Sequence, residues 1–225
     1  MTPGRPALHA SPVPLLIALS ALAALGARPA AGQTGLSAAM PAPPAAVVGV
    51  SDARSGPDPE LREKLKQAIA EARSFPDRFE AEVWLTDMSS RLSRQVEDPD
   101  ERLEILKSVH WHARQVGLEP ELVLAVIDVE SNFDRFAISS AGALGLMQVM
   151  PFWVKELEEE LGYQDKNVLF KIDTNVLMGC WILKHYLEME RYDLVRGLAR
   201  YNGSVGQTWY ADRVIQRLNR KWYRF

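Results

Sequence analysis

Glu130 to Pro151 reads ESNFDRFAISSAGALGLMQVMP, and the fold can be laid out from it. The stretch opens with a carboxylate at the end of an almost wholly apolar run, Glu121-Leu-Val-Leu-Ala-Val-Ile-Asp-Val129. Glu119-Pro120 is a helix start, because proline suits the first helical position. The apolar residues from Leu122 to Val129 cover nearly every side of that helix, and such a helix is a buried one. A carboxylate held against apolar side chains resists ionisation, so its pKa rises. It can then carry a proton near neutral pH and deliver it to a leaving oxygen. After Glu130 comes a polar, Ser-rich loop, and then Ala141 to Gln148, expected to begin another helix that ends or bends near Pro151.

Working toward the N-terminus, Asp98-Pro99-Asp100-Glu101 starts a helix carried by Leu103, Leu106, Val109, Ala113 and Val116 to Gly117. Before it, Pro76 to about Val96 predicts a helix with Phe79, Val83, Leu85, Met88 and Leu92 toward the core. Asp58-Pro59-Glu60 starts a further one, with Leu61, Leu65, Ala68, Ile69 and Ala72 on one face. Residues 33–58 are rich in Ala, Pro, Gly and Ser and read as a disordered tether. Residues 1–32 read as a secretory signal peptide: Arg5, the apolar core Val13 to Gly26, and a cleavage site at Ala30-Ala31-Gly32.

Toward the C-terminus, Phe152 to Leu161 predicts a short helix with an acidic tail, capped by Gly162. Asp173-Thr-Asn175 precedes a longer helix with Val176, Leu177, Cys180, Leu183, Tyr186 and Leu187. Leu194 to Tyr201, a turn at Asn202-Gly203-Ser204 and a helix from about Trp209 to Trp222 complete the chain. No strand-like alternation of any length is present, so the fold class is all-α. The domain reading is 1–32 signal peptide, 33–58 linker, 59–97 N-terminal helical segment and 98–225 the domain that carries Glu130.

Composition narrows the function classes. With 225 residues, 47% of them apolar, the chain can bury a substantial core. Its formal net charge of −3 gives no general electrostatic reason to bind nucleic acid or an anionic membrane. A single cysteine, Cys180, allows no intramolecular disulfide and reads as a core thiol. His110-Trp111-His112 looks like a metal pair, but i and i+2 diverge on a helix, so no metal site is expected. There is no phosphate-binding Gly loop and no calcium loop, and no cofactor is expected.

One ordered set of residues is similar to a known family. Glu130-Ser131, Ala137, Ser139, Gly142-Ala143, Gly145-Leu-Met-Gln148, Met150-Pro151, Asn175, Gly179 and Tyr201-Asn202-Gly203 resemble the soluble lytic murein transglycosylases over roughly Asp98 to Phe225. The resemblance implies a lysozyme-like helical domain that cleaves the β-1,4 bond between N-acetylmuramic acid and N-acetylglucosamine in peptidoglycan without adding water. It makes Glu130 the one catalytic acid and base. It makes Ser139, Gln148, Met150, Tyr201 and Asn202 substrate-binding residues, with Tyr201 close to Glu130.

The resemblance has departures. Tyr201-Asn202-Gly203-Ser204 stands where the family often has Tyr-Asn-Ala-Gly. The glutamate that many members carry shortly before the tyrosine matched by Tyr210 is absent from Gly206-Gln207-Thr208. The implied setting is the periplasm or cell envelope, as a monomer, with peptidoglycan strands as partner and cell-envelope or secretion machinery as compatible partners.

Two other readings share these residues. A hydrolytic muramidase would need a second carboxylate. Asp128 points to another face of the helix, which leaves only Asp134, itself readable as a turn cap. A non-catalytic glycan-binding envelope protein would have no need of Glu130, Gln148 and Tyr201 together.

Overall fold

The computed structural model describes residues 63, 64, 68, 74–156 and 165–223. The expected signal peptide and tether lie outside these residues, as do most of the first predicted helix and the acidic tail and Gly162 cap beyond Glu156. The described residues fall into two compact units, one reaching Trp111 and the other starting at His112.

The first unit holds α1 (Arg78–Leu92) and most of α2 (Pro99–Val116). Asp77 caps α1 by accepting from the Glu80 amide at 2.8 Å. The buried stripe of α1 is Ala81, Trp84, Leu85, Met88 and Leu92, at helical spacing. Phe79, expected in the core, is 76% exposed, because it stands off that stripe. Arg102 is buried and donates to the Val96 carbonyl at 2.7 Å, so its charge closes the turn between the helices. His110 shares a hydrogen bond with Ser74 Oγ at 2.6 Å and stacks on Phe75 at 3.6 Å.

The second unit begins within α2, which Gly117 ends with a φ of +73°. It continues with α3 (Pro120–Glu130), a long loop, α4 (Phe152–Glu156) and a 3₁₀ turn (Lys166–Phe170). Then come α5 (Ile172–Met189), α6 (Leu194–Asn202), α7 (Trp209–Arg217) and a π-helical turn (Leu218–Trp222). Residues Leu122 to Ile127 of α3 are all buried, as expected of a helix apolar on every side. α7 and the π turn pack on α3, and α6 packs on both α5 and α7. Cys180 is a buried free thiol in α5. His112 donates from Nε2 to Asp173 at 2.8 Å, so the two histidines of the His-Trp-His run serve different partners.

The all-α expectation holds among the described residues, with two isolated β-bridges, Ile138 with Leu144 and Leu144 with Val149. They frame a segment whose expected structure is wrong: Ala141 to Gln148 is a braced loop and not a helix. Gly142, Gly145 and Gln148 take φ of +84°, +75° and +49° there. Those left-handed positions, three within seven residues, cannot be part of a right-handed helix.

Candidate active site

The site is built where α3 ends. Glu130 is the last residue of α3, and Ser131 caps the helix through its amide to the Ile127 carbonyl at 3.0 Å. Ser131 Oγ also donates to the Leu146 carbonyl at 2.8 Å, so the residue beside the acid holds the loop that returns past it.

That loop is fixed from three further sides. Asn175 of α5, 1% exposed, donates from Nδ2 to the carbonyls of Leu144 at 2.9 Å and Leu169 at 2.7 Å. Its Oδ1 accepts from the Met147 amide at 2.8 Å. Tyr201 of α6 donates from its hydroxyl to the Met147 carbonyl at 2.7 Å. Gln148 donates from Nε2 to the carbonyls of Gly145 at 2.9 Å and Ala137 at 3.2 Å. The buried polar groups of a helix-free segment must find partners, and here Ser131, Asn175 of α5, Tyr201 of α6 and the loop's own Gln148 supply them.

Two glycines permit this close approach. A Cβ on Gly145 would lie 2.4 Å from both Asn175 Nδ2 and the Leu169 carbonyl oxygen, and one on Gly179 would lie 2.3 Å from Met147 Sδ. Asn175, Gly179 and the Gly145-Leu-Met-Gln148 segment, far apart in sequence, are therefore one packed unit.

Among the described residues, the Glu130 carboxyl has one close partner at 2.5 Å: the Tyr210 hydroxyl, which donates to Oε1 from α7. Burial pushes the Glu130 carboxyl up to about 7, against the opposing effects of the Tyr210 hydrogen bond and the Arg213 charge. Part of the residue stays accessible to solvent. Burial, with the nearby Glu130 charge, raises the Tyr201 and Tyr210 hydroxyls well above their ordinary range. Both therefore remain neutral donors at neutral pH.

The other two acids near this end of α3 are committed elsewhere. Asp128 is 5% exposed and accepts from Lys221 Nζ and Trp222 Nε1, each at 3.1 Å, with Arg217 Nε at 3.6 Å. Asp134 is exposed, and its Oδ1 accepts from the Phe136 amide at 2.9 Å, a turn-capping role.

The residues expected around Glu130 take different places. Tyr201 lies close enough to sense the Glu130 charge, but its hydroxyl is bonded to the loop and the carboxyl is bonded to Tyr210. Gln148 braces the loop with its amide nitrogen. Ser139 Oγ accepts from the Ala143 amide at 2.9 Å and so closes the turn between the bridged segments. Met150 is half-buried at the loop's end, and Asn202 half-buried at the last position of α6. Tyr210 was missed as a site residue. It lies 80 positions from Glu130, and its spacing to Ala211, Val214 and Leu218 reads as an ordinary buried helix face.

The chain is similar in sequence to known proteins over this region. The chain is 36% identical over 87 residues to membrane-bound lytic murein transglycosylase C of Mannheimia succiniciproducens, an alignment covering 36% of this chain and 24% of that protein. It is 30% identical over 132 residues to the protein of the same name from Actinobacillus pleuropneumoniae serotype 5b, covering 52% and 36%. The chain thus spans from about a quarter to little more than a third of these curated relatives. An inactive mutant of lytic transglycosylase Slt from Pseudomonas aeruginosa aligns with a TM-score of 0.42 at 21% identity, covering 68% of this chain and 31% of that one. A family model described as the Transglycosylase SLT domain matches residues 108–221, just over half of the chain and all of the site around Glu130. The chain belongs to the transglycosylase SLT domain family.

Proposed function

We propose that the protein is a peptidoglycan lytic transglycosylase in which Glu130 acts first as acid and then as base. The observation that carries this reading is the Glu130 carboxyl itself. It is buried at the end of an apolar helix, raised to about 7, and in contact with the Tyr210 hydroxyl. A group with that pKa holds its proton in a useful fraction of molecules at neutral pH and still serves as a base once the proton has left.

The proposed reaction needs one carboxyl group. Glu130 protonates the oxygen between N-acetylmuramic acid and N-acetylglucosamine, and the bond from C1 to that oxygen breaks. The acetamido oxygen of the muramoyl sugar stabilises C1 from the opposite face. Ionised Glu130 then takes the proton of the C6 hydroxyl, whose oxygen bonds to C1 and leaves a 1,6-anhydro end. No water is consumed. Tyr210, a neutral donor, steadies the ionised carboxylate between the two steps. The commitments of Asp128 and Asp134 elsewhere favour this one-carboxylate route over hydrolysis, which uses two.

The braced loop suits substrate binding. In this reading Gln148 contacts sugar with its carbonyl oxygen, Met150 lines the cleft wall and Tyr201 and Asn202 contact sugar from α6. Ser139 bonds near the acetamido group from its turn. Residues 98–225 form the catalytic domain, and the protein works in the periplasm or cell envelope, where its substrate lies.

Clearing of purified peptidoglycan sacculi tests the assignment of the acid. Glu130→Gln is expected to abolish clearing, and Asp134→Asn to leave it within about twofold, as for a surface substitution. Clearing that survives Glu130→Gln and is lost with Asp134→Asn would reject the role given to Glu130.

A further inference from the structure

We propose that Trp153, flanked by His185 and Tyr186, forms a sugar-stacking subsite in the cleft that holds Glu130, extending the glycan segment the protein grips. The inference rests on the peptidoglycan reading above and adds to it a binding residue and its place.

Trp153 lies in the first turn of α4, two residues after Pro151, so the braced loop leads from the acid to the indole. Two rings of α5 meet it edge-on: His185 at 6.5 Å and 69°, and Tyr186 at 6.4 Å and 81°. Neither lies flat on the indole. Phe152, its neighbour at 5.2 Å, is 45% exposed, and Trp153 is half-buried. An aromatic group left at the surface in this way marks a binding region.

The group is continuous with the site. α6, which carries Tyr201, packs on α5, which carries His185 and Tyr186. Tyr201 in turn holds the Met147 carbonyl of the loop. The path from the site thus runs from the braced loop through Tyr201 of α6 to α5, whose Tyr186 meets Trp153.

The chemistry fits a pyranose. One face of a sugar ring presents C–H groups, which pack on a flat π surface, while its rim of hydroxyls needs polar partners. Trp153 offers the flat surface, and the Tyr186 hydroxyl and His185 ring nitrogens offer the partners. The continuity with Glu130 favours a glycan strand as occupant over a lipid surface.

The test uses the full chain carrying Glu130→Gln, so that no turnover occurs. Its affinity is measured for GlcNAc-MurNAc oligomers of two and six sugars. Adding Trp153→Ala is expected to weaken the hexasaccharide by about fivefold or more, as for a stacked anchor residue. The disaccharide should change little, and Trp153→Phe should restore most of the loss.

Unchanged hexasaccharide affinity would overturn the inference and leave the proposed function standing. So would a loss equal for both lengths, or one that phenylalanine fails to restore, because either describes a structural role. Trp153-dependent partition onto phospholipid vesicles with unchanged glycan affinity would likewise overturn it. Absence of oligomer binding by the Glu130→Gln chain, with no products from the wild type, would overturn both readings together.

Discussion

The Tyr210 hydroxyl donates to Glu130 Oε1 at 2.5 Å, joining the end of α3 to the start of α7 across 80 positions of sequence. This bond stabilises the ionised carboxylate, whereas burial, the larger effect, stabilises the protonated acid. The carboxyl's value of about 7 is the outcome of that opposition.

The first consequence is a pH profile. The first step needs Glu130 protonated, so kcat/KM should fall as pH rises through about 7, with the slope of one proton. Tyr210→Phe removes the bond that favours the ionised form. It should lower activity and move the falling limb to higher pH. A limb at the same pH in both proteins would remove Tyr210 from the control of Glu130.

The second concerns stability. Glu130 has a folded-state pKa raised from 4.5 to about 7. Between those values the unfolded chain releases its proton before the folded chain does, so this group lowers stability as pH rises through the window. Above it the penalty is complete, on the order of 3 kcal/mol. Glu130→Gln should therefore raise Tm at pH 8 and change it much less at pH 4. Thermal melts at the two pH values check this, and an equal shift at both would contradict it.

The third concerns the braced loop. Asn175→Ala would leave the Leu144 and Leu169 carbonyls and the Met147 amide without their side-chain partner. A loss of about 3 kcal/mol or more is expected. Gly145→Ala adds a Cβ at 2.4 Å from two atoms on a backbone at φ +75°, and should cost about 2 kcal/mol or more. Urea unfolding measures both. Loss below 1 kcal/mol in each would show that the loop does not depend on α5.

The fourth concerns Asp128. One turn end of α3 thus carries two carboxylates with different work: Glu130 meets Tyr210, and Asp128 meets Lys221 and Trp222. Asp128→Ala leaves Lys221 and the buried Trp222 indole without this acceptor and should destabilise by about 3 kcal/mol. Because α7 lies between these anchors, activity should fall as well. Activity and Tm both unchanged would dissociate the π turn from the site.

Much of this was legible in the sequence because it was periodic or punctuated. The all-round apolar run of α3, the Asp-Pro start of α2 and Gly117 at its end are local signals. Phe79 was misplaced because a helix face is a matter of phase, and the stripe through Trp84, Leu85 and Met88 excludes it. Ala141 to Gln148 was misread because Ala, Leu, Met and Gln favour helices. Left-handed backbone at Gly142, Gly145 and Gln148 overrides that preference, and Asn175, 27 positions beyond Gln148, holds the alternative. Glu130 stood out as an acid on an apolar helix. Its partner Tyr210 did not, because nothing within its own helix distinguishes a core tyrosine from one that touches a carboxyl.

The central claim is that one carboxyl group cuts the glycan without water. Mass spectrometry of the soluble fragments from purified peptidoglycan, digested by wild type and by Glu130→Gln in parallel, tests it most directly. The account predicts products lighter by one water than hydrolytic muropeptides from the wild type, and none from the variant. Fully hydrated products with reducing ends would contradict it and identify a muramidase.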